Sequence, residues 1–207
     1  MHTSAWTVQH GDDYRSKYGT LSFKQIQKII DDILKVYFQK GKYPSYLISC
    51  IMQIKSSLRV AELGGYNGFH ALTTMQSLPK DRIISWINYD LSRIAKKLTK
   101  KALKNYPYKF RLLNKPFYEE SIDSADLFYS SKTLEHMRLQ EAKDCISHMS
   151  NCRFQVHIVD WFKADDTHVI EGNSHEALIE HFKSLGYNIV DAQDHGFCSL
   201  LFAEKKQ

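Results

Sequence analysis

No stretch of the chain approaches the roughly 20 consecutive apolar residues that a membrane-spanning helix needs, so no membrane insertion is expected. The opening twenty residues also lack an apolar run and instead carry His2, His10, Asp12, Asp13, Arg15 and Lys17. Neither a signal peptide nor an anchor is expected there, which points to a cytoplasmic protein. Cysteine is sparse: Cys50, Cys145, Cys152 and Cys198 are the four, and none forms a CxxC pair. That argues against a zinc site and against a dense disulfide framework, so the thiols are expected reduced and no metal site is expected. Internal repeats, low-complexity tracts and interdomain linkers are absent as well. What remains is a chain of 207 residues, 43% hydrophobic and 25% charged, the range of one globular domain.

A net charge of +5 raises the question of an anionic partner, yet basic residues are dispersed with one dense run. Arg93, Lys96, Lys97, Lys100, Lys101 and Lys104 alternate with Ile94, Leu98 and Ala102 at helical spacing. This reads as an amphipathic helix with a solvated basic side, or else as a phosphate-binding face. No recognition motif accompanies the run, so no nucleic-acid partner is expected.

After an irregular start bearing Trp6, Tyr14 and Tyr18, Ser22 and Gln25 have capping-box spacing. The helix that follows buries Phe23, Ile26, Ile29, Ile30, Ile33 and Tyr37 and stops near Gly41, and a second helix is predicted over 46–56. Residues 1–57 thus form an N-terminal helical segment of the same domain, and 58–207 the remainder. From Leu58 short apolar runs alternate with helical periodicity, the pattern of a parallel sheet covered on both faces. Strands are predicted at 58–63, 84–89, 109–113, 126–130, 154–159, 187–192 and 198–204, with helices at 68–77, 92–105, 138–149 and 174–185. Ser174 can cap the last helix, and Gly186 supplies its left-handed stop. The final two strands, joined by a turn at Asp194–Gly196, should pair antiparallel. The predicted fold is α/β: Rossmann-like, doubly wound, seven strands, mostly parallel, with an antiparallel last strand.

The segment LRVAELGGYNGFHALTTM carries the most chemistry. An apolar strand ends in Glu62, Gly64, Gly65 and Gly68 make a turn, and a helix begins near Phe69. In open parallel sheets the ligand crevice lies beyond the carboxyl ends of the strands. Glycines let a ligand approach the backbone, and a helix start offers free N–H groups to a carboxylate or phosphate. Asp90 ends the next strand, 22 residues after Gly68, where an acid can accept from ribose hydroxyls; as an alternative it caps the following helix. A dinucleotide fingerprint fails, because Tyr66 and Phe69 occupy two of its three glycine positions.

Glu62, Gly64 and Gly68 with Asp90 resemble the E-x-G-x-G-x-G signature and ribose-binding acid of the class I S-adenosylmethionine-dependent methyltransferases. Tyr66 replaces the middle glycine and Asn67 follows it, so the loop is similar to a G-G-Y-x-G variant of methyltransferases linked to sugar and glycan modification. DLFYSSKTLEHM (126–137) resembles the fourth-strand motif of the same superfamily. The resemblance implies S-adenosyl-L-methionine as cofactor, bound by Glu62, Gly64, Gly65, Tyr66, Asn67, Gly68, Asp90 and Leu91. It further implies Asn114 near adenine, Phe117 as a stacking surface, and Ser130 and Ser131 beside the methionine moiety. Plain strand-end hydrogen bonding is the competing account of the Ser and Asn residues. Tyr14, with Trp6, Arg15 and Tyr18, would fold over the cofactor as a lid, or pack on the surface.

Methyl transfer to a hydroxyl gains from a general base, whereas a neutral amine needs little beyond desolvation and alignment. His136, His157, His168 and His195 are histidine candidates. DDTHV (165–169) resembles a stretch of methyltransferases acting on glycans, which makes His168 the implied base, with Asp160 a second candidate; structural roles are the alternative for each. The implied activity is O-methylation of a sugar, nucleotide sugar or glycan by a small enzyme. N-methylation of a metabolite and a non-catalytic binding relative are the competing readings.

Overall fold

The computed structural model describes residues 43–66, 68–92, 95–96, 99–100, 103–160, 174–196 and 198–206. The first of these segments opens with α1 (Tyr43–Gln53), three residues ahead of the predicted 46–56. Pro44 stands in its first turn, where the missing N–H is no loss, instead of marking the boundary. Leu47, Cys50, Ile51 and Ile54 of this segment are buried against the sheet residues Leu58, Val60 and Trp86.

The strands fall where alternation and β-branching put them, within about two residues: β1 (Leu58–Leu63), β2 (Ile83–Asp90), β3 (Tyr108–Leu112), β4 (Leu127–Ser131), β5 (Phe154–Asp160), β6 (Tyr187–Asp194) and β7 (Cys198–Lys205). The helices between them are α2 (Phe69–Ser77), α3 (Leu139–His148) and α4 (Ser174–Ser184), with short 3₁₀ turns at Phe117–Glu119 and Leu134–His136. Ala95, Lys96, Thr99 and Lys100 are helical within the predicted 92–105. The helix at 22–41 lies outside the described residues.

One seven-stranded sheet results, in the order β3-β2-β1-β4-β5-β7-β6. The first five strands of that order are parallel, and β7 runs antiparallel to both β5 and β6. The chain reverses direction of winding between β1 and β4, the switch point at which such sheets open a ligand crevice. Because side chains alternate, Val60, Trp86, Tyr129 and Val156 face α1 and α2, while Ala61, Phe128 and Leu201 face α3 and α4. Helices therefore cover both faces, as a buried parallel sheet requires. The Arg138 N–H donates to Glu141 Oε2 at 2.9 Å to start α3, and Gly186 at φ +81° ends α4. No described helix is long and apolar enough to cross a membrane.

Candidate active site

Glu62 reaches the end of β1 on the α2 face, in register with Asn88 of β2 and Tyr129 of β4. It is wholly buried. Its Oε2 accepts from the Trp86 indole N–H at 2.7 Å, and its Oε1 has no hydrogen-bond partner among the described residues. Burial pushes its carboxyl up to about 8, with Asp90 adding to the shift and the indole bond opposing it. A Cβ on Gly65 would overlap this carboxyl group, so only glycine lets the loop lie over the acid.

The loop is held by its own N–H groups. Gly64 donates to Tyr89 O at 2.8 Å, Gly65 to Asn88 Oδ1 at 3.0 Å and Tyr66 to Asp90 Oδ2 at 2.8 Å. Gly68, at φ +70°, donates to Gly65 O at 2.8 Å and hands the chain to α2. Tyr66 is left-handed at φ 40°, a conformation that costs a bulky residue on the order of 1 kcal/mol and that its bond to Asp90 offsets. Thr133 braces the loop from β4's side: its Oγ1 donates to Leu63 O and Ser131 O, both at 3.1 Å, and it fills the space beside Gly64.

Asp90 is 4% exposed and is raised to about 6 by burial, against the bonds it accepts from Ser92 and Tyr66 N–H. Its Oδ1 takes the Ser92 N–H at 2.7 Å, while Ser92 Oγ takes the Ala95 N–H at 3.2 Å. Ser92 thus makes the bond of a helix cap, and Asp90 supports the turn before it. Leu91 is the exposed residue next to this carboxylate.

Other predicted positions have different outcomes. Ser131 joins the site face at the end of β4, nearly buried. Ser130 points to the opposite face because strand side chains alternate, and its hydroxyl bonds His157 Nδ1 at 2.7 Å. Phe117 is 3% exposed and is core: it stacks on Phe128 at 5.3 Å and meets Tyr89 edge-on at 5.7 Å. Its faces are occupied, so it offers no stacking surface. Asn114 is exposed, and its N–H donates to Glu120 Oε1 at 3.0 Å. Asp160 ends β5 opposite Cys198. Tyr14, Asn67 and His168 lie outside the described residues. His157, read as a strand-end candidate, is fully buried among Phe128 and Phe182.

Two site residues were not anticipated. His70, the second residue of α2, has Nδ1 3.1 Å from Tyr129 Oη; desolvation and the charge of Lys132 hold it down at about 4, hence neutral. Asn88 is a wholly buried amide beneath the loop. The signal for both was positional: His70 follows the glycine turn, and Asn88 shares Asp90's side of the strand.

These groups fit a cofactor with a cationic amine and a diol. Glu62 Oε1 is a buried carboxyl oxygen without a hydrogen-bond partner among the described residues, Asp90 is an acid at the neighbouring strand end, and α2 starts beside them.

A model of the O-methyltransferase family matches residues 17–114, just under half of the chain and the half that holds the loop. No curated protein matches the sequence. Among solved structures, magnesium protoporphyrin IX methyltransferase from Synechocystis PCC 6803 with bound S-adenosylmethionine is similar at TM-score 0.64 and 14% identity, over 97% of this chain and 93% of that one. An S-adenosylmethionine-dependent methyltransferase from Clostridium acetobutylicum ATCC 824 gives 0.66 at 9% identity, over 89% and 99%. An O-methyltransferase family 2 protein from Planctomyces limnophilus DSM 3776, in complex with apigenin, gives 0.56 at 12%, over 74% and 52%. The fold is that of the class I methyltransferases, and together with the family match over the loop it supports an S-adenosylmethionine-dependent methyltransferase.

Proposed function

We propose that the protein methylates an oxygen of a small hydroxylated acceptor, with a sugar, nucleotide sugar or glycan as the acceptor class. The observation that carries the oxygen is the O-methyltransferase match, which spans the loop, both acids and Asn114. The sugar rests on the Gly64–Gly68 loop, whose G-G-Y-x-G form resembles that of glycan-modifying methyltransferases. A small-molecule acceptor agrees with the apigenin complex of the Planctomyces protein.

When bound, S-adenosylmethionine supplies an electrophilic methyl on a sulfonium: an O–CH3 bond forms, the S–CH3 bond breaks and its electron pair stays on sulfur. The residues that would hold it are Glu62 toward the amine, Asp90 toward the ribose hydroxyls, and the α2 start toward the carboxylate. Leu91 and Asn114 would border the base, and Asn67 would complete the loop. His168 takes the acceptor's hydroxyl proton and Asp160 orients the acceptor, while Tyr14, with Trp6, Arg15 and Tyr18, would serve as a lid that excludes water.

Calorimetric titration with S-adenosylmethionine and S-adenosylhomocysteine tests the cofactor, and absence of binding at millimolar concentration defeats the reading. A mass-spectrometric acceptor screen then tests the substrate class. Separate His168→Ala and Asp160→Asn variants should each lose most of the rate; unchanged rates would instead mean an amine acceptor that needs no base.

A further inference from the structure

Asn88 stands on β2 between the two acids, in register with Glu62 and two residues before Asp90. The Gly65 N–H can only donate, so the amide atom facing it at 3.0 Å is the oxygen. Nδ2 therefore faces Tyr108 Oη, to which it donates at 2.8 Å. Tyr108 stands on β3, and nearby Thr99 Oγ1 donates to Ala95 O at 3.0 Å. The Gly65 N–H and the Tyr108 hydroxyl oxygen therefore hold the two ends of the amide, so its orientation is fixed from both sides. The other end of the loop rests on the same residues: a Cβ on Gly68 would meet Thr99 Cγ2 at 2.9 Å and Tyr108 Oη at 3.3 Å.

We propose that Asn88 is a positioning residue for the cofactor loop, and that Tyr108 acts through it by fixing which way its amide points. The role asks for an amide. An aspartate there would add a third carboxylate between Glu62 and Asp90, and an apolar side chain would leave the Gly65 N–H unpaired. With that N–H turned inward, the Gly65 carbonyl is turned to Gly68 N and the loop lies over Glu62. Asn88 thereby sets the floor on which the methionine end of S-adenosylmethionine would sit, an inference that rests on the function proposed above.

The test uses Asn88→Val, Tyr108→Phe and the double variant of the whole chain. Affinity for S-adenosylhomocysteine is read by calorimetry, and Gly65 amide exchange by NMR without ligand. Asn88→Val should weaken binding about ten-fold and Tyr108→Phe about three-fold, the sizes expected for one unpaired buried donor and for one lost bond further back. Both should speed Gly65 exchange, and Tyr108→Phe should add nothing once Asn88 is gone, which a merely structural tyrosine would not do. Unchanged affinity and exchange in Asn88→Val, or effects that multiply in the double variant, would overturn the proposal. Should Asn88→Val fail to fold, Tyr108→Phe with wild-type Gly65 exchange would overturn it. Should the wild-type protein bind no S-adenosylhomocysteine, the proposed function fails, and Gly65 exchange in the variants still decides the role of Asn88.

Discussion

The two faces of the sheet use polar residues in opposite ways. On the α3/α4 face, Ser130, His157, Gln155 and Tyr187 form a closed circuit. Ser130 bonds His157 Nδ1 at 2.7 Å, and His157 Nε2 donates to Gln155 Oε1 at 3.1 Å. Gln155 Nε2 faces Ile146 O, Met149 O and Tyr187 Oη within 3.2 Å, and Tyr187 Oη donates to Cys152 O at 2.6 Å. Since Gln155 Oε1 only accepts, the imidazole carries its proton on Nε2 and takes the serine hydroxyl on Nδ1; burial holds it neutral, down at about 3. On the α1/α2 face, Glu62, Asn88 and Asp90 climb toward the carboxyl edge and end under a backbone loop, with Glu62 Oε1 left over. A circuit that satisfies itself holds the fold together, and one with a buried carboxyl oxygen left without a partner is arranged for something else.

Breaking the closed circuit should have the largest effect on stability. Gln155→Leu strands the His157 Nε2–H and removes the donor shared by two carbonyls and Tyr187. The expected loss is about 3 kcal/mol by chemical denaturation, with affinity for S-adenosylhomocysteine unchanged in the folded fraction. The converse variant is Gly65→Ala, whose new methyl overlaps the Glu62 carboxyl. Overpacking there should cost about 2 kcal/mol, felt mainly as a roughly thirty-fold weaker affinity because the loop can lift off the acid. If both variants lost affinity and stability in equal measure, the two faces would not be separable.

The sequence made much of this legible, and unevenly. All seven strands, the antiparallel end and the Gly186 stop follow from alternation and turn chemistry, because each is a local property of consecutive residues. That Glu62 and Asp90 lie at adjacent strand ends follows from the parallel order alone. What could not be read is which face each strand-end residue chooses. Ser130 and Ser131 are indistinguishable in composition, yet one is sealed against His157 and the other sits on the site face. Phe117 follows the same rule: an aromatic in a loop looks available until Phe128 and Tyr89 are seen against it. Asn88 carries no charge to mark it beside Asp90, and its role shows only in the bond it accepts from the Gly65 N–H.

The acids offer a sharper test through pH. Glu62 is protonated in the fold up to about 8, whereas its unfolded value is 4.5, so the native state holds the extra proton. Stability from this group is fully present below 4.5 and falls as pH rises toward 8. Asp90 contributes in the same direction, but only between 3.8 and about 6. His70 and His157 act oppositely, held neutral in the fold, and their contribution is complete once pH exceeds their unfolded value of 6.5. Among these four groups, only Glu62 still changes between pH 6.5 and 8. Ligand-free protein should lose about 2 kcal/mol across that interval, and Glu62→Gln should flatten the decline. An unchanged slope in the variant would mean that the carboxyl is solvated or already paired.

The smallest effect belongs to a glycine far from the loop. Gly186 has φ +81°, but a Cβ there would meet nothing within 4 Å, so Gly186→Ala adds backbone strain without a clash. That strain is about 1 kcal/mol, a drop of roughly 3 °C in melting temperature for a domain of this size, with affinity for S-adenosylhomocysteine unaltered. Gly65→Ala introduces the same methyl and should have the reverse profile, little strain of its own and a direct collision with Glu62. Measured side by side, the pair separates a glycine kept for its dihedral from one kept for what lies beneath it. A loss of affinity in Gly186→Ala comparable to that in Gly65→Ala would mean that the α4 end of the sheet communicates with the loop across β5, β4 and β1, and the division between the faces would have to be withdrawn.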